Sequence, residues 1–297
     1  MGRRHHLEQT LLKNIEDNLP TKAGDPSVEF VLVDYNSKDG LREWVENNAA
    51  LKPYLENGTL VYARYPDAPY FHHAHAKNIA HRLATGDVVC NVDADNFTGK
   101  GFARYLAKEF AGGKHAFVHP SFSLLKGLPI ERSGISGRIA LLRKDFIALG
   151  GYSETRFKKG WGGEDADFLM RALAFKLKPR PMFDLDYLNV VSHSNEERIK
   201  NTAGGITVEE VEKGCGRISL PHLKLAFGTC VSSVQANRGG HFGEGTIFGI
   251  DNKVLKVHEA VESLPPIHRR CLRAILPMIK DRRIKPPQKT KVTLNAV

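Results

Sequence analysis

Apolar positions in the first half of the chain alternate between two patterns. Leu7, Leu11, Leu12 and Ile15 recur near helical spacing, which predicts a helix over 7–18, ended by Pro20 and the TKAGDP stretch. Val28 to Val33 is a short β-rich run that reads as a buried strand and leads straight into Asp34 and the polar turn YNSKDG. A helix follows from about Leu41. Thr59 to Ala63 reads as a second strand, and residues 74–84 as a helix stopped by Gly86. Val88 to Val92 reads as a third strand, ending in Asp93-Ala94-Asp95. This alternation predicts parallel strands joined by crossover helices, an α/β layered fold. Ligands in such sheets sit beyond the carboxyl ends of the strands, where Asp34 and Asp93 stand.

Farther along, Gly137 to Leu142 reads as a strand and Asp145 to Leu149 as a short helix before Gly150-Gly151. In GWGGEDADFLMRALAFKL two glycines break the chain. Glu164 and Asp165 then fall in the first turn of a helix whose apolar face is Phe168, Leu169, Ala172 and Leu173. Acids there favour the helix dipole. An extended stretch, Tyr187 to Val191, leads into His193. After about residue 200 the pattern fades. Residues 201–216 read as loop or helix edge, 225–250 as a small β-ribbon, and 257–281 as an amphipathic helix broken by prolines. The expected organisation is one α/β domain over 1–200 and an irregular extension over 201–297 with a basic tail.

The composition, 41% hydrophobic and 26% charged over 297 residues, excludes a chain disordered throughout, a collagen-like repeat and a polytopic membrane protein. The N-terminus is charged and has no apolar secretory core. The four cysteines form no CxxC pair, which suits reduced thiols and a cytoplasmic protein. The net charge of +10 suits anionic partners without choosing among them. Most of it lies in the tail beyond His268, which points to weak contact with an anionic membrane surface and a peripheral place at its inner face. There is no zinc finger, RNP pattern or aromatic-basic interleaving, so a nucleic-acid partner is not expected.

Four groups of residues could carry chemistry. Asp93 and Asp95, one residue apart at a strand end, can converge on a hard cation, although a solvated turn explains a lone D-x-D as readily. In Trp161-Gly162-Gly163-Glu164-Asp165, a carboxylate at a helix start can serve as a base, the glycines admit a ligand to the backbone, and the indole can stack on a sugar. A capped helix beside a core tryptophan explains the same residues. His193, among Ser192, Ser194 and Asn195, can join carboxylates on a manganese-like ion or be an ordinary histidine. His72, His73 and His75 match no standard zinc spacing and read better as polar residues at a helix start.

The combination is more specific than its parts. A strand ending in Asp34 is followed by AKNIAHRLATGDVVCNVDAD, GRIALLRKDFIALGGYSE, GWGGEDADF and a downstream His-Ser. This order resembles the GT-A glycosyltransferases, family 2 broadly, and in the WGGED segment the galactosyltransferase and N-acetylgalactosaminyltransferase branch. The resemblance covers roughly residues 1–200. It implies a Rossmann-like mixed sheet with helices on both faces. It also implies a non-processive, inverting transferase moving a hexose or N-acetylhexosamine from a UDP-sugar to a saccharide or glycoconjugate acceptor, with Mn2+ or Mg2+. Carried over by residue, it makes Asp165 the catalytic base and places Trp161, Gly162, Gly163 and Glu164 on the acceptor side. Arg3, Asp34, Lys77, Asn78, Asp93 and Asp95 fall on the donor side, and Asp93, Asp95 and His193 on the metal.

The chain departs from the pattern in two places. The family's first apolar strand is not seen ahead of Arg3, and Ala166 stands where the branch carries a third acid. The first departure keeps a second reading alive: a non-catalytic nucleotide- or sugar-binding protein of the same fold. A hydrolase using two carboxylates fits less well, because the D-x-D and strand–Asp pattern points to a nucleotide donor.

Overall fold

The computed structural model describes residues 1–121, 134–155, 157, 162–214 and 242–257. The expected C-terminal helix over 257–281 and most of the expected ribbon over 225–250 lie outside them.

Helix α1 (Arg4–Glu16) buries Leu7, Leu11 and Ile15 on one face. Its start is capped from elsewhere, the Arg4 N–H donating to Asp39 Oδ2 at 2.8 Å. Strand β1 (Phe30–Asp34) follows, then α2 (Leu41–Asn47), α3 (Lys52–Glu56), β2 (Leu60–Arg64), α4 (His73–Leu83) and β3 (Val88–Cys90). The expected strand-helix order therefore holds, with boundaries moved by a few residues. His72 caps α4, its Nδ1 accepting the His75 N–H at 3.3 Å.

Next come β4 (Asn96–Phe97), α5 (Phe102–Glu109), β5 (Ala116–Pro120), β6 (Ala140–Leu142) and α6 (Arg143–Ala148). Helix α7 (Glu164–Ala174) leads to β7 (Lys178–Met182), a 3-10 turn at Leu185–Tyr187, β8 (Asn189–Val190) and α8 (Asn195–Ile199). The chain continues through α9 (Val208–Gly214), β9 (Ile247–Phe248) and β10 (Val254–Leu255).

The strands form two separate four-stranded sheets and a two-stranded pair. One sheet runs β1-β2-β9-β10, the other β3-β6-β5-β7, and β4 pairs with β8. In the first, β1 and β2 are parallel from Phe30↔Leu60 to Asp34↔Arg64, while β9 joins β2 antiparallel. In the second, β6 is antiparallel to both β3 and β5, and β7 is parallel to β5. The result is an α/β fold with a mixed sheet flanked by helices, a Rossmann-like arrangement. No described strand bridges β1 and β3.

The core under the second sheet is aromatic. Phe146, Tyr152, Phe168 and Phe242 are buried together, and Tyr152 stacks on Phe168 at 4.5 Å between centroids. Such ring pairs contribute about 0.5–1.5 kcal/mol beyond their burial. Phe242, which lies after residue 200, packs into the main core.

Helix α7 is fixed by a fully buried ion pair. Arg171 Nε donates to Asp167 Oδ2 at 3.0 Å, and its Nη1 donates to the Leu149 carbonyl at 2.7 Å. Removing one partner strands the other charge away from water. Asp167→Ala should therefore lower the unfolding free energy by about 3–5 kcal/mol. Urea titration of the two proteins measures this, and a loss under about 1 kcal/mol would show that the pair does not anchor the helix.

Candidate active site

The carboxyl end of β3 opens into Asp93-Ala94-Asp95, and the two aspartates turn toward different partners. Asp95 Oδ2 lies 2.8 Å from His193 Nε2. The small β4–β8 pair makes this meeting possible. Asn96 registers with Val190, and the Val191 N–H donates to the Asp95 carbonyl at 2.7 Å, carrying His193 back to the strand end. Burial pushes the Asp95 carboxyl up, but the His193 hydrogen bond and charge outweigh it and hold the group below the usual range.

Asp93 faces the other way. Asn91 Nδ2 donates to Asp93 Oδ1 at 3.0 Å and to the Gly137 carbonyl at 3.2 Å. Gly137 lies where a methyl group would come within 3.0 Å of Asp165 Oδ2, 3.1 Å of Asp93 Oδ2 and 3.4 Å of Lys77 Nζ. Those three charged groups thus surround one point, open because the residue beside it has no side chain. Burial raises the Asp93 carboxyl, against the pull of Lys77.

Lys77 is the hub. From α4 its Nζ donates to Glu164 Oε1 at 3.0 Å and to Asp165 Oδ1 at 2.7 Å, both on the first turn of α7. The ammonium also stands 5.1 Å from the Tyr152 ring centroid. Gly162 and Gly163, at φ +82° and +96°, adopt the left-handed backbone that brings the chain into this helix start. The Gly163 site also has no room for a side chain, since a Cβ there would fall 2.9 Å from Phe157 Cε1. Trp161 lies outside the described residues.

The two acids on Lys77 are driven apart. Burial pushes both up. At Glu164 the charges of Lys77 and His73 prevail and bring it down to about 2. At Asp165 burial dominates the Lys77 attraction, and the charges of Glu164 and Asp93 add to it, pushing it up to about 7. A carboxylate poised near neutrality can take up a proton and give it back.

Three other expected site residues sit away from this group. Asp34 is buried with both oxygens engaged, Oδ2 accepting from Tyr62 OH at 2.6 Å and Oδ1 from the Ser37 N–H at 2.8 Å. Asn78 is fully buried and spends its amide on Tyr152 and Glu154. Its Oδ1 accepts the Tyr152 N–H at 2.7 Å, and its Nδ2 donates to the Tyr152 carbonyl at 2.9 Å and to Glu154 Oε1 at 2.7 Å. Arg3 ties the start of α1 to α8, its Nη1 lying 2.9 Å from Glu197 Oε1 and its Nη2 donating to the Glu197 carbonyl at 2.9 Å.

Around Arg3 lies a donor set that the sequence reading did not single out. His5, His6 and Glu197 bring their ligand atoms within 4.8 Å of one another, a grouping able to coordinate a metal ion. The His6 ring stands 5.0 Å from that of His193, so this cluster borders the Asp95–His193 pair. Among the described residues Asp93, Asp95 and His193 do not form such a three-ligand group. The adjacent histidines at a helix start were the available signal. For Gly137 no signal was available, because its neighbours come from α4, β3 and α7.

Residues 125–194 match the family model described as the N-terminal domain of galactosyltransferase. The match is a partial homology to a glycosyltransferase-family domain, and its span includes Gly162 to Asp165 and His193. No curated protein matches the chain.

A pH measurement tests the Asp165 environment. A carboxyl raised in the folded state from 3.8 to about 7 disfavours folding once it must ionise, so its contribution falls as pH rises from about 4 to 7. Asp165→Asn should flatten that part of the stability profile, measured in chelator-treated protein, and raise stability at pH 7. An unchanged slope would show that Asp165 ionises normally.

Proposed function

We propose that the protein is a metal-dependent inverting glycosyltransferase of the GT-A type. It would move a hexose or N-acetylhexosamine from a UDP-sugar to a saccharide or glycoconjugate acceptor. The observation that carries this reading is the division at the end of β3. Asp95 is paired with an imidazole, while Asp93 shares a gap with Asp165 and Lys77. One short segment thus presents a metal-type donor pair beside a base-type carboxylate. The partial galactosyltransferase homology over 125–194 supports the reaction class.

The donor chemistry of Asp95 and His193 fits a manganese- or magnesium-like ion. Asp95 Oδ2 and His193 Nε2, a carboxylate oxygen and an imidazole nitrogen 2.8 Å apart, are the atoms that would hold it. When bound, such an ion supplies Lewis-acid neutralisation of the leaving diphosphate. Asp93 completes the acidic rim on the donor side.

The protein's own residues then handle the acceptor. Asp165 takes the proton of the acceptor hydroxyl as that oxygen forms its bond to the anomeric carbon. The bond from that carbon to the diphosphate oxygen breaks, and the nucleoside diphosphate leaves with the electron pair. Attack opposite the leaving group inverts the anomeric centre, and no covalent intermediate is needed. Lys77 keeps Glu164 ionised as an acceptor of hydrogen bonds from the sugar's other hydroxyls. Gly162 and Gly163 admit the sugar to the chain, with Trp161 as its stacking surface.

Transfer from UDP-hexoses and UDP-N-acetylhexosamines, with and without Mn2+, tests the reading, with hydrolysis of the donor as a second readout. Asp165→Asn should lower turnover by about 10²–10⁴-fold while leaving UDP affinity nearly unchanged. His193→Ala should weaken Mn2+ binding and raise the metal concentration needed for activity. If Mn2+-dependent UDP binding occurs with neither transfer nor hydrolysis, the chain is a binding protein of this fold. If UDP does not bind either, the reading fails.

A further inference from the structure

Arg138 stands just ahead of β6 and is almost wholly buried, at 1% exposure. Its Nε and Nη1 are buried with no hydrogen-bond partner among the described residues, and its Cζ lies 5.7 Å from the centre of the Phe102 ring. The bond it does make runs from Nη2 to Asn96 Oδ1, at 2.9 Å. Burial pushes its pKa down to about 10, while Cys90, Asp93 and Asp95 pull it back, so the guanidinium is charged near neutrality. A cation buried with so little compensation is poor value as a stabiliser. Apolar side chains of similar volume are often as stable in such a place, or more so. The reason for an arginine here must lie in what it does to Asn96.

Asn96 is itself fully buried. Its Nδ2 donates to Asp95 Oδ1 at 3.1 Å and, more weakly, to the Gly134 carbonyl at 3.5 Å. A guanidinium can only donate and an ionised carboxylate can only accept. The amide between them must therefore give its oxygen to Arg138 and its nitrogen to Asp95. The chain of bonds runs one way, from Arg138 through Asn96 to Asp95 Oδ1, and the other oxygen of that carboxyl, Oδ2, lies 2.8 Å from His193 Nε2. Hydrogen bonds linked in this way polarise one another. Take Arg138 away and Asn96 Oδ1 is left buried without this donor, which is costly and frees the amide to turn from Asp95.

We propose that Arg138 is a positioning residue for the metal donors: through the Asn96 amide it fixes Asp95 by Oδ1 and keeps Oδ2 turned toward His193. The inference rests on the reading of Asp95 and His193 as a metal-binding pair. It adds two residues that touch neither the ion nor the sugar and that act in sequence, Arg138 on Asn96 and Asn96 on Asp95. Partners of this kind, one bond behind a metal ligand, typically change metal affinity by about 10–100-fold when removed.

The test measures Mn2+ affinity by calorimetry, with the urea midpoint alongside, in the full chain and in Arg138→Met, Asn96→Leu, the double variant and Arg138→Lys. Each single substitution to an apolar residue should weaken Mn2+ binding by about tenfold or more. The double variant should bind within about twofold of the weaker single, because the two residues act through one bond, and independent sites would multiply their effects. It should also regain midpoint relative to Arg138→Met, since both buried partners are then apolar. Arg138→Lys keeps a charged donor and should recover most of the affinity. The proposal is overturned if Arg138→Met binds Mn2+ as the unchanged chain does, if the two losses multiply in the double variant, or if the lysine variant binds no better than the methionine one. If the unchanged chain does not bind Mn2+, or His193→Ala binds it equally well, the metal reading of Asp95 and His193 fails and takes this inference with it. Binding through His193 that Arg138→Met leaves intact sinks the role of Arg138 alone.

Discussion

The candidate site depends on one buried ammonium. Lys77 reaches from α4 to the first turn of α7 and holds two carboxylates that lie 87 and 88 residues away in the chain. With Asp93 across the gap left by Gly137, one cation faces three acids. Three ionised carboxylates cannot all be balanced by one lysine out of water. The excess is relieved unevenly: Glu164 stays ionised, and Asp165 moves up to about 7. Remove Lys77 and the largest opposing charge at all three carboxylates is lost. Geometry and acid-base character thus share one cause.

Much of this could be read from the chain. The apolar runs before Asp34 and Asp93 located the carboxyl ends of β1 and β3, because buried strands are short and β-rich and their ends are where polarity returns. Gly162-Gly163 before two acids located the start of α7. What could not be read was which way each side chain turns. Asp93 and Asp95 look alike in sequence. Only the β4–β8 register, made by two residues on each side, gives Asp95 to His193 and leaves Asp93 to Lys77. Asn78 looked like a donor-site residue beside Lys77. One helical position on, it turns inward and fastens the Gly151-Tyr152 turn instead. Gly151 allows this approach, since a side chain there would fall 2.5 Å from Asn78 Oδ1.

Helix α1 shows what an apolar pattern leaves out. Its leucines stand out in sequence and mark a core face, and they do pack there. Its buried polar residues carry no such pattern, yet they tie the site together. Thr10 Oγ1 donates to the Ala94 carbonyl at 2.7 Å, and Asn14 Nδ2 to the Asn96 carbonyl at 2.9 Å. Asn14 Oδ1 accepts the Thr98 N–H at 2.8 Å, and just past the helix Asn18 Nδ2 donates to Thr98 Oγ1 at 2.8 Å. The Asp93–Asp95 turn is therefore held by a helix three residues from the N-terminus, through bonds that must be made because their partners are buried.

This arrangement explains how the end of β3 keeps its shape although no strand among the described residues joins β3 to β1. A sheet normally positions its strand ends by the register of neighbouring strands. Here β3 has a neighbour on one side, β6, and on the other an apolar slot. The constraint on that side comes from side-chain amides and hydroxyls of α1, spaced along one helix face, acting on the backbone of 94–98. The same helix brings His6 beside His193 and, through Arg3, grips α8 at Glu197. The divided sheet and the assembled site coexist because hydrogen bonds from α1 hold the aspartate turn, while the slot adjoins the apolar strands that lead to it.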